Sequence, residues 1–347
     1  MILPALSGLS VRRSALVMAL AAATALAGCE SSDLLSLSAN APLPEDVKNH
    51  MKANGMTRSS PIMVRIFKEE AVLEVWKQKD TGRYGLVKSY EICAYSGKLG
   101  PKIKEGDRQA PEGFYWISKG LLNPKSDYHL AFNTGFPNTY DRANGRTGSH
   151  LMVHGSCSSA GCYSMTDENI TEIYAFAREA LQGGRQQAFQ VQAFPFRMTP
   201  ENMARHRNDA SFAFWKMLKE GYDHFELTKI PPKVDVCGRR YVFNAEPESG
   251  AFRATAACPP MSLPTKLQTA YQTLQSQQAL AFDKAVSSLE AKAAVAEQEA
   301  AAAAEKKAAQ ELAEAERVAA AAQAPEKKSS SPLRGLLGLL PGGGSNR

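Results

Sequence analysis

A histidine and a cysteine eight residues apart are the side chains of this 347-residue sequence best placed for covalent chemistry. They are His154 and Cys162, in the segment His-Gly-Ser-Cys-Ser-Ser-Ala-Gly-Cys. A cysteine thiolate is a strong nucleophile, and a nearby imidazole can take up the thiol proton. Gly161, directly before the thiol, lets the backbone turn sharply and bring amide N–H groups close to a reacting carbonyl. Because acyl transfer needs these three things, the segment predicts a cysteine acyl-transfer site.

A zinc site is the alternative interpretation of the same region. Its ligands would be His150, His154, Cys157 and Cys162. Their number suits zinc, but the spacing is not a standard one and no carboxylate partner is evident. We therefore predict neither a metal nor another cofactor. His150 lies four residues before His154, and in a strand both would share a face, so we expect His150 to line the cleft.

The beginning of the chain predicts export to the periplasm. Arg12 and Arg13 precede an apolar stretch over 15–25, so residues 1–28 have the pattern of a signal peptide. The stretch ends in Leu-Ala-Gly-Cys, which resembles a bacterial lipobox with Cys29 as the lipidated residue. We expect a lipid anchor in a bacterial membrane. The alternative is an ordinary signal peptide that is cleaved near Ala27.

Composition narrows the class of protein without identifying it. Hydrophobic residues make up 44% and charged residues 22% of the chain, which is ordinary for a globular protein. The formal net charge is +6, but the basic residues are scattered and form no stripe with aromatic side chains. The sequence therefore does not favour nucleic-acid binding.

Short apolar runs separated by turn residues predict a β-rich α+β domain around the candidate site. We expect strands over 62–67, 71–76, 87–94, 113–117, 129–133, 150–154 and 187–193. Thr166 is a good helix N-cap, so a helix should begin directly after the cysteine. A second helix should carry the apolar stripe between Phe212 and Tyr222, which we interpret as core.

The chain divides into five predicted regions. They are the signal peptide 1–28, a tether over 29–60, a catalytic domain with a C-terminal extension over 61–262, a long Ala-rich helix over 263–324 and a disordered tail over 325–347. The long helix carries a weak heptad pattern, so a coiled coil and a single helix without a partner both remain open. It has too little apolar surface to belong to a core.

The remaining cysteines have predicted roles of their own. Cys237 and Cys258 bracket a short segment, and we expect them to form a disulfide that closes a loop. Cys93 and Cys157 are then left over. Cys157 is either a redox partner of the nucleophile or a packed thiol, and we expect a packed thiol.

The catalytic segment resembles a known family. His-Gly followed by Ser-x-Gly-Cys is similar to the signature of the L,D-transpeptidase catalytic domain, the YkuD-type family of bacterial cell-wall enzymes. The wider run from Tyr128 to Asp167 resembles its YafK-like branch, and the match covers about residues 61–230. Tyr163 and Ser164 follow the cysteine, where many members of the wider family have an apolar residue and Arg. The resemblance implies a mixed β-sheet sandwich with packed helices, followed here by the long Ala-rich helix.

The resemblance also implies the roles of the site residues. Cys162 would be the nucleophile that forms a thioester, and His154 the general base and later the acid. The backbone carbonyl of Gly155 would orient the imidazole ring. The oxyanion hole would come from the N–H groups of Cys162 and of Gly161 or Ala160. As substrate contacts we expect the polar side chains near the motif: His150, Ser159, Tyr140, Arg146 and Tyr163.

The implied substrate is the stem peptide of peptidoglycan, attacked at an L,D bond next to meso-diaminopimelate. Cross-linking or protein attachment would follow if an amine takes the acyl group. Hydrolysis, with release of a wall-attached lipoprotein, would follow if water takes it. The sequence leaves both open. A third hypothesis is a lipid-anchored, non-catalytic protein that binds the wall, and the intact His154–Cys162 pair argues against it.

Overall fold

The computed structural model describes residues 37–323, so the predicted signal peptide, Cys29 and the tail over 325–347 lie outside the described residues. The helices are α1 (Glu45–Ala53), α2 (Thr139–Ala143), α3 (Asp167–Gln182), α4 (Pro200–Arg205), α5 (Phe212–Thr228) and α6 (Thr265–Gln323). The longer strands are β1 (Ile62–Phe67), β2 (Val72–Gln78), β3 (Tyr84–Glu91), β5 (Gly113–Ser118), β6 (Leu122–Ser126), β7 (His129–Asn133) and β10 (Ala188–Phe194). The shorter strands are β4 (Ala94–Tyr95), β8 (Met152–His154), β9 (Tyr163–Ser164), β11 (Val234–Cys237), β12 (Arg240–Phe243), β13 (Glu246–Pro247) and β14 (Met261–Ser262).

Two five-stranded sheets form the scaffold. The first has the order β3-β2-β1-β10-β5 and the second the order β4-β9-β8-β7-β6. Each sheet contains one parallel pair, β1 with β10 and β8 with β9, and its other neighbours run antiparallel. This confirms the predicted α+β class with mixed sheets. The candidate site lies at the parallel pair of the second sheet.

Strand β1 is buried on both faces because its residues alternate between two cores. Val64 and Ile66 belong to the larger core, which contains residues of both sheets and of α3. Phe67 points the other way, into the second core, and Arg65 lies over its ring and that of Tyr222 on α5. Successive strand residues face opposite sides of a sheet, so a continuous apolar run can fill both layers. Strand β1 therefore lies between the two cores.

Helix α3 begins where the sequence predicts and fixes the segment that follows the cysteine. The Thr166 side chain accepts a hydrogen bond from the Asn169 N–H, and Asp167 lies in the first turn, where a negative charge suits the helix dipole. Ile170 and Ile173 are fully buried in the larger core. The helix thus holds the end of β9 at a fixed place.

The predicted tether is wrong for residues 37–60, because most of this segment is folded. Val47 and Met51, four residues apart on α1, are buried in the larger core together with Leu43. The Arg178 guanidinium on α3 donates a 2.8 Å hydrogen bond to the Ala41 carbonyl. The i, i+4 spacing of the apolar residues is that of an amphipathic helix, and burial of that face attaches the segment to the domain.

The boundary predicted at residue 262 is also wrong. The chain divides into two compact units at Val286, so the first turns of α6 belong to the catalytic unit. Within that unit the Phe282 ring lies 6.3 Å from Phe212, and the Tyr271 ring lies 4.6 Å from His224. Two aromatic side chains of α6, Tyr271 and Phe282, make these contacts, which the Ala-rich composition of the helix does not predict. The described part of the second unit, residues 287–323, is one exposed helix.

None of the helices within residues 37–323 is both long and apolar enough to cross a membrane.

Candidate active site

Parallel pairing of β8 with β9 brings the histidine and the cysteine to the same face of the second sheet. Val153 pairs with Tyr163, and His154 with Ser164. One step back in this register, Cys162 lies beside Met152, whose N–H points at Sγ at 3.4 Å. Met152 and His154 share a face of β8 because they are two residues apart. The thiol and the imidazole are therefore diagonal neighbours across two strands.

His154 has the orientation and the tautomer that a general base needs. Its Nδ1 lies 2.7 Å from the Gly155 carbonyl oxygen, which can only accept, so Nδ1 carries the proton. Nε2 is then unprotonated and able to accept a proton. The ring is almost completely buried, and this desolvation lowers the pKa of His154 despite the hydrogen bond to Gly155. The imidazole is therefore neutral at neutral pH.

Cys162 is a half-buried free thiol. Desolvation raises its pKa, and this outweighs the opposing effects of the Met152 N–H and of the Lys102 charge. Its Sγ also lies 3.8 Å from the His150 carbonyl oxygen. The site thus holds a thiol and a neutral imidazole, and formation of a thiolate would require a proton acceptor such as His154 Nε2.

The turn before the thiol presents backbone N–H groups. Gly161 has φ +116°, a conformation that favours glycine. The Cys162 N–H donates to Ser159 Oγ at 3.1 Å, and the same hydroxyl donates to the Cys162 carbonyl at 2.7 Å. Within residues 37–323 the N–H groups of Ala160 and Gly161 have no hydrogen-bond partner. Of the expected oxyanion donors, Gly161 and Ala160 are therefore available, whereas Cys162 is occupied by Ser159.

A disulfide crosses this loop, which corrects the expectation that Cys157 is a packed thiol. Cys157 is bonded to Cys93, 64 residues earlier, and both half-cystines are exposed. The bond attaches the loop between His154 and Cys162 to the segment before β4. It also removes Cys157 from the alternative zinc site, and residues 37–323 contain no group of three or more potential ligands that could hold a metal ion. Cys237 and Cys258 form the second disulfide, the pair that the sequence predicts.

Tyr163 cannot contact a substrate, contrary to our expectation, because its side chain is fully buried. Its hydroxyl donates to the Pro111 carbonyl at 2.7 Å, and its ring packs in the larger core. The residue after the nucleophile is therefore a support for β9.

Tyr140 and Arg146 are also buried, so the expected substrate contacts are again replaced by packing. The Tyr140 ring stacks on Tyr241 with centroids 4.3 Å apart. The Arg146 guanidinium forms a 2.9 Å ion pair with Asp141, whose side chain is fully buried. These residues join α2 to the β11–β12 hairpin.

His150 and Ser159 remain near the thiol, in positions that differ from the expected ones. His150 has φ +55° and precedes β8, so it does not share a strand face with His154. Its ring is exposed and its carbonyl, not its ring, approaches Cys162. Ser159 braces the turn through Cys162 and also bonds Ser96 Oγ at 2.9 Å.

Two neighbours of the catalytic pair did not emerge as site residues from the sequence. The Tyr128 ring lies 4.8 Å from the His154 ring and is half exposed, so it covers the imidazole at the surface. Lys102, whose charge acts on Cys162, comes from the loop between β4 and β5. Tyr128 stands in the run that carries the resemblance, but the motif gives no signal for Lys102.

Together these elements define a class: a mixed-sheet protein with a free cysteine, a neighbouring histidine oriented by a backbone carbonyl, and a glycine turn before the thiol. Comparison with known proteins gives the family. The family model of the L,D-transpeptidase catalytic domain, YkuD, matches residues 63–187. "Putative L,D-transpeptidase YafK" of Escherichia coli strain K12 is 46% identical over 207 residues, which cover 60% of this chain and 81% of that protein. The chain therefore belongs to the L,D-transpeptidase catalytic-domain family.

Solved structures were also compared with the chain. The helical cell shape determining protein Pgp2 from Campylobacter jejuni is 19% identical and covers 55% of this chain and 79% of its own, with a TM-score of 0.32. Bd1075 of Bdellovibrio bacteriovorus is 22% identical and covers 40% of this chain and 50% of its own, with a TM-score of 0.28.

Proposed function

We propose that this protein is a peptidoglycan L,D-transpeptidase that acts on stem peptides containing meso-diaminopimelate through a thioester on Cys162. The observation that carries the proposal is the hydrogen bond from His154 Nδ1 to the Gly155 carbonyl. It leaves Nε2 as a base on the strand face that also carries the free thiol. Family membership supports the substrate class.

The first half of the reaction would break the scissile amide. His154 Nε2 takes the thiol proton, and the Cys162 sulfur attacks the amide carbonyl. The negative charge that develops on the carbonyl oxygen accepts hydrogen bonds from the free N–H groups of the Gly161 turn. The protonated His154 then gives its proton to the leaving amine, which departs and leaves a thioester.

The second half would transfer the acyl group. An incoming amine or water attacks the thioester carbonyl, while His154 takes its proton and returns it to the departing sulfur. An amine gives a cross-link or an attached protein, and water gives hydrolysis, including release of a wall-linked lipoprotein. Both outcomes use the same residues, so the acceptor that reaches the thioester decides between them.

The same proposal includes the place of action. A lipid on Cys29 would hold the enzyme on a bacterial membrane in the periplasm, where its substrate is located. The formal net charge of +6 suits a negatively charged wall polymer.

Incubation with purified muropeptides tests the proposal. We expect the protein to release the residue that follows meso-diaminopimelate, and mass spectrometry should find a thioester on Cys162. Cys162→Ser and His154→Ala should each abolish turnover, whereas Ser158→Ala, an exposed side chain in the same loop, should not. Cross-linked products would support transpeptidation, and free acids would indicate hydrolysis. Unchanged muropeptides and no acylated cysteine would contradict the proposed function and favour the non-catalytic, wall-binding alternative.

A further inference from the structure

A buried lysine in the loop between β4 and β5 lies within electrostatic reach of the Cys162 thiol and has no role in the mechanism above. Lys102 is only 3% exposed. Its ammonium donates to Asp107 Oδ1 at 2.5 Å and to the Lys104 carbonyl at 3.0 Å. An ammonium has three N–H donors, so one donor has no hydrogen-bond partner among residues 37–323, although the ammonium also lies 6.0 Å from the centre of the Phe136 ring. A buried charge with a donor that makes no hydrogen bond lowers the stability of the folded state. A group that is kept at this cost is a candidate for a functional role.

Asp107 holds this lysine in a rigid loop. Its carboxylate accepts hydrogen bonds from the backbone N–H groups of Ile103, Lys104 and Gln109. Desolvation alone would raise the pKa of Asp107, but the hydrogen bonds from Lys102 and the backbone lower it to about 2. The carboxylate is therefore ionised at all pH values of interest, and the ammonium has a fixed position.

The loop is attached directly to the segment that leads to the thiol. The Thr147 N–H donates to the Ile103 carbonyl at 3.1 Å. Lys102 Cε lies so close to Gly148 that a Cβ there would be 2.6 Å away. Two residues further on, the His150 carbonyl oxygen lies 3.8 Å from Cys162 Sγ. Because the loop and this segment are joined, the charge of Lys102 stays within electrostatic reach of the sulfur, and it favours the thiolate.

We propose that Lys102 supplies a fixed positive charge that stabilises the Cys162 thiolate while His154 takes the proton. The inference rests on the proposed role of Cys162 as the nucleophile. Proton transfer from a half-buried thiol to a buried neutral imidazole creates two charges in a poorly solvated place. A fixed cation within electrostatic reach of the sulfur lowers the cost of that step, and a low local dielectric strengthens its effect.

The rate of Cys162 alkylation by iodoacetamide as a function of pH tests this proposal without any peptidoglycan. The full-length protein is treated between pH 6 and pH 10.5, and the mass of the Cys162 peptide gives the rate. For Lys102→Met we expect the pH midpoint to rise by about one unit, which means roughly tenfold slower alkylation at pH 8. Lys102→Arg keeps the charge and should react like the wild type. Lys104→Met removes an exposed lysine from the same loop and is the matched control.

The Asp107→Asn variant distinguishes an electrostatic effect of Lys102 on Cys162 from a role of the Lys102–Asp107 pair in holding the loop. It removes the negative charge that faces Lys102, so we expect the alkylation midpoint to move down, opposite to Lys102→Met. An upward shift in both variants would mean that the pair only holds the loop, and this would overturn the proposal. An unchanged midpoint in Lys102→Met, or a Lys102→Arg variant that behaves like Lys102→Met, would overturn it too. Alkylation needs no peptide substrate, so failure of the muropeptide assay would leave this result unaffected.

Discussion

Removal of the whole C-terminal helix should destabilise the catalytic unit, whereas removal of its exposed part should not. The contacts that decide this lie in the first 22 residues of α6. Phe282 packs near Phe212, and Tyr271 packs edge-on against His224. Gln278 donates to the buried Asp223 at 3.2 Å. Residues 287–323 lie in the other compact unit and, apart from the partly buried Leu289, are exposed.

The size of the effect follows from these contacts. Each aromatic pair contributes about 0.5–1.5 kcal/mol beyond its buried area. A hydrogen bond to a charged group contributes roughly 1.5–3 kcal/mol. Deletion of residues 265–347 should therefore lower the free energy of unfolding by roughly 3–5 kcal/mol. For a domain of this size, that corresponds to a fall in Tm of roughly 6–20 °C.

Thermal unfolding of three proteins that all begin at residue 37 measures this fall in Tm. They end at residue 347, at residue 286 and at residue 264. The pKa of His224 gives a second measurement, which reports on the contact with α6 itself. Burial lowers the pKa of His224 to about 4, and without Tyr271 over its ring we expect the pKa to rise towards its ordinary value, as an NMR titration would show. Equal Tm values for the proteins that end at 286 and 264, with an unchanged His224 titration, would refute the reasoning.

Three further predictions concern the core, the catalytic base and the anchor. Glu112→Ala should cost about 3–5 kcal/mol in urea unfolding because it leaves the fully buried Lys68 ammonium without its ion pair, whereas the exposed Glu105→Ala should cost little. The folded-state pKa of His154 is lowered below 6.5, so the unfolded chain binds its proton first. The stability that the neutral His154 contributes to the folded state should therefore be lost as pH falls below about 6.5. The acid limb of the kcat/KM profile should also lie below that value, and a limb at or above 6.5 would contradict the assignment of His154 as the base. Cys29→Ala should move the protein from the membrane fraction to the soluble periplasmic fraction, and identical partitioning would exclude the lipid anchor.

Local patterns in the sequence predicted seven of the strands, β1–β3, β5, β7, β8 and β10, and pointed to His154 and Cys162 as the candidate catalytic pair. The burial of β1 on both faces follows from its apolar run, and the turn at Gly161 follows from its residue type. The His154–Gly155 hydrogen bond joins adjacent residues, so a motif can carry it. Each of these features depends on neighbours in sequence, which is why the sequence could predict it.

Features that depend on distant pairing could not be predicted in the same way. Cys93 meets Cys157 only because β4 pairs with β9, which brings together segments 64 residues apart. Tyr140 and Arg146 have polar atoms that a sequence places at the surface, but each finds a buried partner in the fold. Lys102 belongs to the same group, since only the docking of its loop on the segment before β8, at Thr147 and Gly148, brings its charge within reach of Cys162.

The protonated resting state of the Cys162 thiol helps the nucleophile to stay reduced in the periplasm, the compartment that we propose. An exported enzyme works where disulfides form, and Cys162 lies five residues from the exposed Cys93–Cys157 bond. Thiol–disulfide exchange requires the thiolate, so a pKa raised by burial slows the attack of Cys162 on that bond. The same burial keeps His154 neutral and able to act as a base. Thiolate would then form mainly when a bound substrate, the Gly161 turn and Lys102 stabilise the charges of the transition state, and between turnovers the nucleophile remains reduced.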